Sequence, residues 1–220
     1  MEENTYRITQ IETQKKNDAR VSIFLDGRFA FGLNREVFVK HPLYEGDQLT
    51  DSEIDDVLLK EERVKAKEKA LKFLSYRAHS IFEIKKKLSD REISDRTIDY
   101  VINDFMRVGL LNDAQFAEGY TRSRLISRPM GRRLIEQELK KKGIHETLIR
   151  STLDDAFAEK TELDMAILLA EKRMDRYQGQ AIIKGKKKIA DFLGRRGFAW
   201  DVIYEVINSL PWPDEFHNEN

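Results

Sequence analysis

Between residues 6 and 33 the apolar positions recur at every second residue, and from about residue 62 to 210 they recur at every third and fourth. The first spacing belongs to a strand with one buried face, the second to an amphipathic helix. The alternating part, YRITQIETQKKNDARVSIFLDGRFAFGLN, contains Asp26-Gly27, a dipeptide that favours a tight two-residue hairpin turn. Such a turn sets Phe24 across from Phe29 and Ile23 across from Ala30, with a third strand around Ile8 and Ile11. So small an antiparallel sheet cannot stand alone and should pack on the chain that comes after it. Thr50-Asp51-Ser52-Glu53 then has the form of a capping box, in which hydroxyl and carboxylate each satisfy a free N–H of the first helical turn. A helix starts there, and the strand pattern does not return.

The helical part repeats itself. Ile84, Leu88, Ile93, Ile98 and Ile102 recur 51 positions later as Ile135, Leu139, Ile144, Ile149 and Leu153. They recur again, 54 positions further on, as Ile189, Leu193, Phe198, Ile203 and Ile207. KKKLSDREI, EQELKKKGI and ADFLGRRGF each place a bulky residue five positions after a leucine. Each copy reads as three helices: 64–78, 81–90 (capped by Ser80-x-x-Glu83) and 95–108; then 113–127, 131–142 and 146–158; then 161–177, 185–196 and 200–210. Short three-helix units cannot bury both faces alone, so the expected fold is mainly α: three tandem three-helix repeats in an elongated, curved array, preceded by the small β-sheet. The expected divisions are 1–61 (sheet and acidic helix), 62–111, 112–160 and 161–210 for the repeats, and an acidic, proline-broken tail at 211–220. In the junction GLLNDAQFA, Gly109 suits the left-handed position past a helix end, and Asn112 or Asp113 suits the cap of the next helix. The stretch reads as a joint between copies.

Composition narrows the class of protein. Charged residues make up 35% and hydrophobic ones 40% of 220, which suits a soluble helical chain of one or two domains. Without cysteine there is neither a disulfide framework nor a thiolate metal site, and no leader or membrane-span pattern is seen, so a cytoplasmic protein is expected. The 39 basic and 39 acidic residues balance but are segregated. Residues 45–62 hold eight acids against Lys60, residues 121–142 eight bases against Glu136 and Glu138, and residues 184–196 six bases against Asp191. This gives the chain an acidic end and a basic end.

Catalytic chemistry finds little footing. His41, His79, His145 and His217 are scattered, without the clustering that metal ligands require, so no metal is expected. No glycine-rich phosphate loop or nucleophile elbow occurs, so no cofactor is expected. Asp55-Asp56 and Asp154-Asp155 are adjacent in sequence, which on a helix points them apart. Phe116 and Tyr120, one turn apart before Arg124, fit an inward stripe better than a base-stacking platform. The basic stretches are what remains. Leu134, Ile135 and Leu139 point inward, which leaves Arg132, Arg133, Lys140 and Lys141 outward. Lys184, Lys186, Lys187 and Lys188 at the start of the corresponding helix, where cations oppose the macrodipole, with Arg195 and Arg196 at its end, repeat the arrangement. With Arg122, Arg124 and Lys142 these form the candidate partner- or DNA-binding set.

Arg77-Ala78-His79-Ser80, Gly109-Leu110-Leu111-Asn112-Asp113 with Phe116-Ala117, Gly131, and Glu138-Leu139-Lys140-Lys141-Lys142-Gly143-Ile144 together resemble the RecX regulatory proteins. The triple repeat extends the likeness to about residue 210, and the sheet is similar to the N-terminal extension of the longer members. The third copy departs from the second in lacking Gly-Leu-Leu-Asn-Asp at its entry. The resemblance implies a non-enzymatic, monomeric bacterial regulator of the RecA recombinase, which binds the RecA nucleoprotein filament and limits its ATPase and strand exchange. It also implies, for some members, binding of single- or double-stranded DNA. The competing reading is an independent DNA-binding protein whose helix-turn-helix-like repeats use their bases as phosphate contacts.

Overall fold

The computed structural model describes residues 4–158, 161–174, 176 and 181–212. The chain divides into two compact units, Met1–His79 with Glu83–Leu111, and Ser80–Phe82 with Asn112–Asn220.

In the first unit, strands β1 (Thr5–Gln14), β2 (Asn17–Leu25) and β3 (Arg28–Asn34) form an antiparallel meander. Asp26 and Gly27 both take positive φ, 49° and 79°, as a hairpin turn whose twist matches the strands requires. Phe24 pairs with Phe29 as expected, but Ile23 pairs with Phe31 and not with Ala30. A bulge absorbs Ala30, and a slip of one residue would otherwise turn the rest of β3 inside out. The alternation does not reveal two further elements. Helix α1 (Arg35–Lys40) follows β3 directly, capped by the Asn34 side chain, and the short β4 (Gln48–Thr50) adds to β1, giving the order β3-β2-β1-β4. Elements this short hold too few residues to show a period.

The capping box at Thr50 and Glu53 is present, and the helix it starts, α2 (Asp51–Tyr76), runs without a break for 26 residues. No boundary interrupts it at residues 61–62. Its buried anchor there is Glu61, 3% exposed, which pairs with Arg20 at 2.8 Å and Lys65 at 3.1 Å and accepts the Asn34 N–H. A carboxylate so placed must be paired, and its partners tie α2 to the sheet. Ile8, Ile23, Leu33 and Val37 build the core beneath it. Helices α3 (Ile81–Ser89) and α4 (Asp95–Arg107) complete the first repeat.

The second unit holds α5 (Asp113–Ser127), α6 (Arg132–Lys141), α7 (Glu146–Ala156), α8 (Glu162–Met174), α9 (Ile182–Arg195) and α10 (Trp200–Ser209). The last residues expected in the helix that α8 forms, and residues 213–220 of the expected tail, lie largely outside the described residues. Trp212, inside that expected tail, packs on the core of α8, α9 and α10 and donates its indole N–H to Ile207 O at 2.7 Å.

The leucine-to-bulky spacing has a physical cause. After α6, Ile144 N donates to Leu139 O and Gly143 N to Lys140 O, with Gly143 at φ 75°. After α9, Phe198 N donates to Leu193 O and Gly197 N to Gly194 O, with Gly197 at φ 84°. After α3, Ile93 and Glu92 make the same pair of bonds, with Glu92 at φ 59°. This is the Schellman ending, in which the residue past the left-handed position folds back on the helix it closes. Gly109 after α4 ends its helix the same way. The first helix of each copy carries two small residues four apart, Ala66 and Ala70, Ala117 and Thr121, Ala166 and Ala170, all fully buried. They let the other helices of the copy approach closely.

Candidate partner-binding face

The two middle helices of the second unit and their C-caps carry most of the candidate cations, and α5 carries Arg122 and Arg124. Isoleucine and leucine at Ile135 and Leu139, and at Ile189 and Leu193, are fully buried and fix the rotation of α6 and α9 about their axes. That rotation decides which cations face solvent.

The candidates divide into two groups. Several are tied down. Arg124 donates from Nε to Glu138 at 3.0 Å and from Nη2 to the Tyr120 hydroxyl at 2.7 Å, and that hydroxyl donates to Glu138 at 2.7 Å. Burial pushes the Tyr120 phenol above its ordinary value, and the Glu138 carboxylate adds to the effect. Phe116, in the core, stacks on Tyr120 at 5.8 Å, and the Lys142 ammonium lies 4.9 Å from the Tyr120 ring centre. Arg132 pairs with Asp154, and Lys140 with Glu136 at 2.7 Å. Arg196 donates to Pro129 O at 2.8 Å and lies over the Phe192 ring. Burial lowers its pKa, with Arg128 and Arg173 adding repulsion. Lys186 reaches toward the Trp212 ring, and Lys188 has a partner.

The second group is Arg122, Arg133, Lys141, Lys184, Lys187 and Arg195, all exposed. None has a carboxylate within ion-pairing distance among the described residues. Within it the repeat register makes pairs: Arg133 and Lys141 on α6 correspond, 54 positions on, to Lys187 and Arg195 on α9. In the first copy the same register falls on Phe82 in α3 and on Asp90 just past its end. Residues eight apart lie about two turns along one side of a helix, so each pair forms a short cationic ridge.

Around this face are contacts that sequence reasoning missed. Asp113 does not cap its own helix; Asn112 does, accepting from Ala114 N and Gln115 N. The Asp113 carboxylate accepts the Ile81 N–H, 2.9 Å away, at the start of α3. Glu162 accepts the Arg132 N–H at the start of α6, also at 2.9 Å. Ile81 and Arg132 are 51 positions apart, so the two caps are equivalent. A second pair of bonds obeys the same register: Ser80 Oγ donates to Lys142 O at 2.6 Å, and Gly131 N donates to Arg196 O at 2.8 Å. At the latter the backbones nearly touch, since a Cβ on Gly131 would come within 2.5 Å of Phe198 N and one on Gly197 within 2.7 Å of Leu134 N. An acidic residue opening the first helix of the second and third copies was the available signal, but it reads equally as a favourable charge at its own helix start.

No group of three or more metal-ligating side chains is found among the described residues, and no described helix is long and apolar enough to cross a membrane. His41 and His145 stand at helix ends, as C-cap and N-cap. His79 is buried with Nδ1 2.9 Å from Arg77 O, and burial holds its pKa below the ordinary value. His217 lies outside the described residues.

Comparison with known proteins now decides the family. Residues 6–50 match the model of the regulatory protein RecX N-terminal domain. Residues 66–105, 112–153 and 160–207 match the first, second and third RecX three-helix domains. The regulatory protein RecX of Clostridioides difficile is 34% identical over 212 residues, covering 95% of this chain and 98% of its own length. The chain belongs to the RecX family. The Bacillus cytotoxicus protein of the same name is 32% identical, over 92% of this chain and 76% of its own. A crystal structure of regulatory protein RecX superposes with a TM-score of 0.70 at 29% identity, covering 93% of this chain and all of that one. The RecX crystal structure from Lactobacillus salivarius gives 0.61 at 28% identity, covering 67% and 95%. The chain is therefore a RecX-type regulatory protein with an N-terminal sheet and three three-helix domains.

Proposed function

We propose that this chain binds the RecA recombinase filament and modulates it, chiefly by limiting its ATPase and strand-exchange activities in recombination and repair. It would act without catalysis or a cofactor, as a monomer in the bacterial cytoplasm. The observation that carries this reading is the pair of equivalent cationic ridges, Arg133 with Lys141 and Lys187 with Arg195, which have no carboxylate partner among the described residues. Exposed like charges held in register cost stability and gain nothing inside the fold, which supports their use toward an acidic protein surface or nucleic-acid phosphate. Family membership supports RecA as the source of that surface. The tied-down cations, Arg124, Arg132, Lys140 and Arg196, take a smaller share in this proposal, because breaking their pairs would offset part of any contact they made.

The test is to add stoichiometric protein to cognate RecA on single-stranded DNA and to follow ATP hydrolysis and strand exchange. Unchanged rates would sink the proposal. The second reading, a free-standing DNA binder, draws on the same ridges. It requires tight binding to naked DNA that weakens steeply with salt, and weak binding without RecA counts against it.

A further inference from the structure

The first unit contains a cleft to which the function proposed above assigns no part. Helices α1, α2 and α4 enclose a cavity of about 410 Å³, within the range of small-molecule sites. Its wall is cationic: Lys40 from α1 and Lys60, Arg63 and Lys67 from α2, against two carboxylates, Glu36 and Glu68.

Two of the four cations are engaged. Lys40 pairs with Glu36 at 2.6 Å, and Lys67 with Asp104 at 2.6 Å. Glu68 accepts from the Asn34 side chain at 3.1 Å. Arg63 is different. Its guanidinium lies against the Tyr100 ring, 4.1 Å from the centroid, and its Nε is buried with no hydrogen-bond partner among the described residues. Leaving a charged donor dry and unpaired is expensive, so a well-fitting acceptor there is strongly favoured. Neither Arg63 nor Lys60 has a carboxylate partner among the described residues.

The repeat supplies an internal control. At a shift of 51, Arg63 corresponds to Ala114 and Tyr100 to Ser151, while the buried pair Ala66 and Ala70 keeps its small partners Ala117 and Thr121. The helix packing of a copy therefore does not require the Arg63 and Tyr100 pair. It stands only where α1 closes over it.

We propose that this cleft binds a small phosphoryl anion, of the size and charge of a nucleoside diphosphate or inorganic pyrophosphate. Arg63 supplies the forked donor and Lys60 the second charge. Tyr100, 40% exposed, lies against the guanidinium and restricts its motion. A planar guanidinium matches two phosphoryl oxygens at once, and the cavity is too small for a folded partner. The proposal goes beyond the modulation of RecA and needs none of its cations.

Calorimetric titration of the full chain at low salt, with ADP, pyrophosphate and citrate in separate runs, tests it. Saturable binding of one phosphoryl ligand per chain is expected. Lys60→Gln and Arg63→Gln should each weaken it about tenfold or more, with thermal unfolding unchanged in at least the first. Lys187→Gln, in the other unit, should leave it intact. Tighter binding of ADP than of pyrophosphate identifies a nucleotide, and equal binding identifies the inorganic anion; both support the site. No saturation by about 1 mM, equal binding of citrate, or equal loss in Lys187→Gln would overturn it.

Discussion

Glu92 occupies a backbone position that its counterparts fill with glycine. Its φ is 59°, against 75° at Gly143 and 84° at Gly197, and all three close a middle helix with the same two bonds. A side chain in this left-handed region costs about 1–2 kcal/mol, part of which glycine returns as chain entropy in the unfolded state. Glu92→Gly should therefore raise stability by about 0.5–1 kcal/mol, read as a higher urea midpoint at unchanged slope. Gly197→Ala should do the reverse and cost about 2–4 kcal/mol, because the new Cβ meets Leu134 backbone as well as an unfavourable φ. The sequence showed Gly143 and Gly197 as spacers between a leucine and a bulky residue. It could not show that Gly131 and Gly197 touch, since neither residue's neighbours in the chain record the approach.

At the scale of elements, the sequence was most informative where one face of a helix is buried and repeated. The nine helices read from the spacing correspond to α2 through α10, because burial of Ile84, Ile135 and Ile189 at equivalent places leaves a period. It was least informative where one element joins another. Glu62, Asp113 and Glu162 stand at corresponding places in the three first helices, yet each caps a different helix from its own. The environments of Glu62 and Glu162 set opposite pH responses. Burial raises the Glu62 value, but the bonds from Ser94 and Thr97 outweigh it, so its folded pKa lies below the ordinary 4.5. Its stabilisation is present above 4.5 and is lost as pH falls through the folded value. For Glu162 burial dominates and raises the folded pKa above 4.5, despite the Arg132 N–H. Its stabilisation is full below 4.5 and is lost as pH rises through the folded value. Thermal melts from acid to neutral pH should show Glu62→Gln destabilised most at neutral pH. In Glu162→Gln the decline with rising pH should be flattened. Equal pH profiles for the two variants would contradict these assignments.

For the whole molecule, charge segregation in the sequence pointed to the basic helices without ranking their cations. Ranking needs the partners, and Glu138 and Asp154 become partners of Arg124 and Arg132 only once the helices pack, whereas Glu136 and Lys140, four apart on α6, pair within one helix. Of the six exposed cations left without a carboxylate among the described residues, four form the ridges: Arg133, Lys141, Lys187 and Arg195. Exposed, and without a carboxylate partner among the described residues, these four can be reversed with stability changes of about 0.5 kcal/mol or less at each site. DNA-dependent ATP hydrolysis by cognate RecA, measured with stoichiometric wild-type chain or with the variant carrying Arg133→Glu, Lys141→Glu, Lys187→Glu and Arg195→Glu, therefore probes the ridges most directly. The wild-type chain should slow hydrolysis, and the variant, with unchanged helix content and melting temperature, should largely fail to. Slowing by the variant equal to that by the wild-type chain would contradict the role given to the ridges.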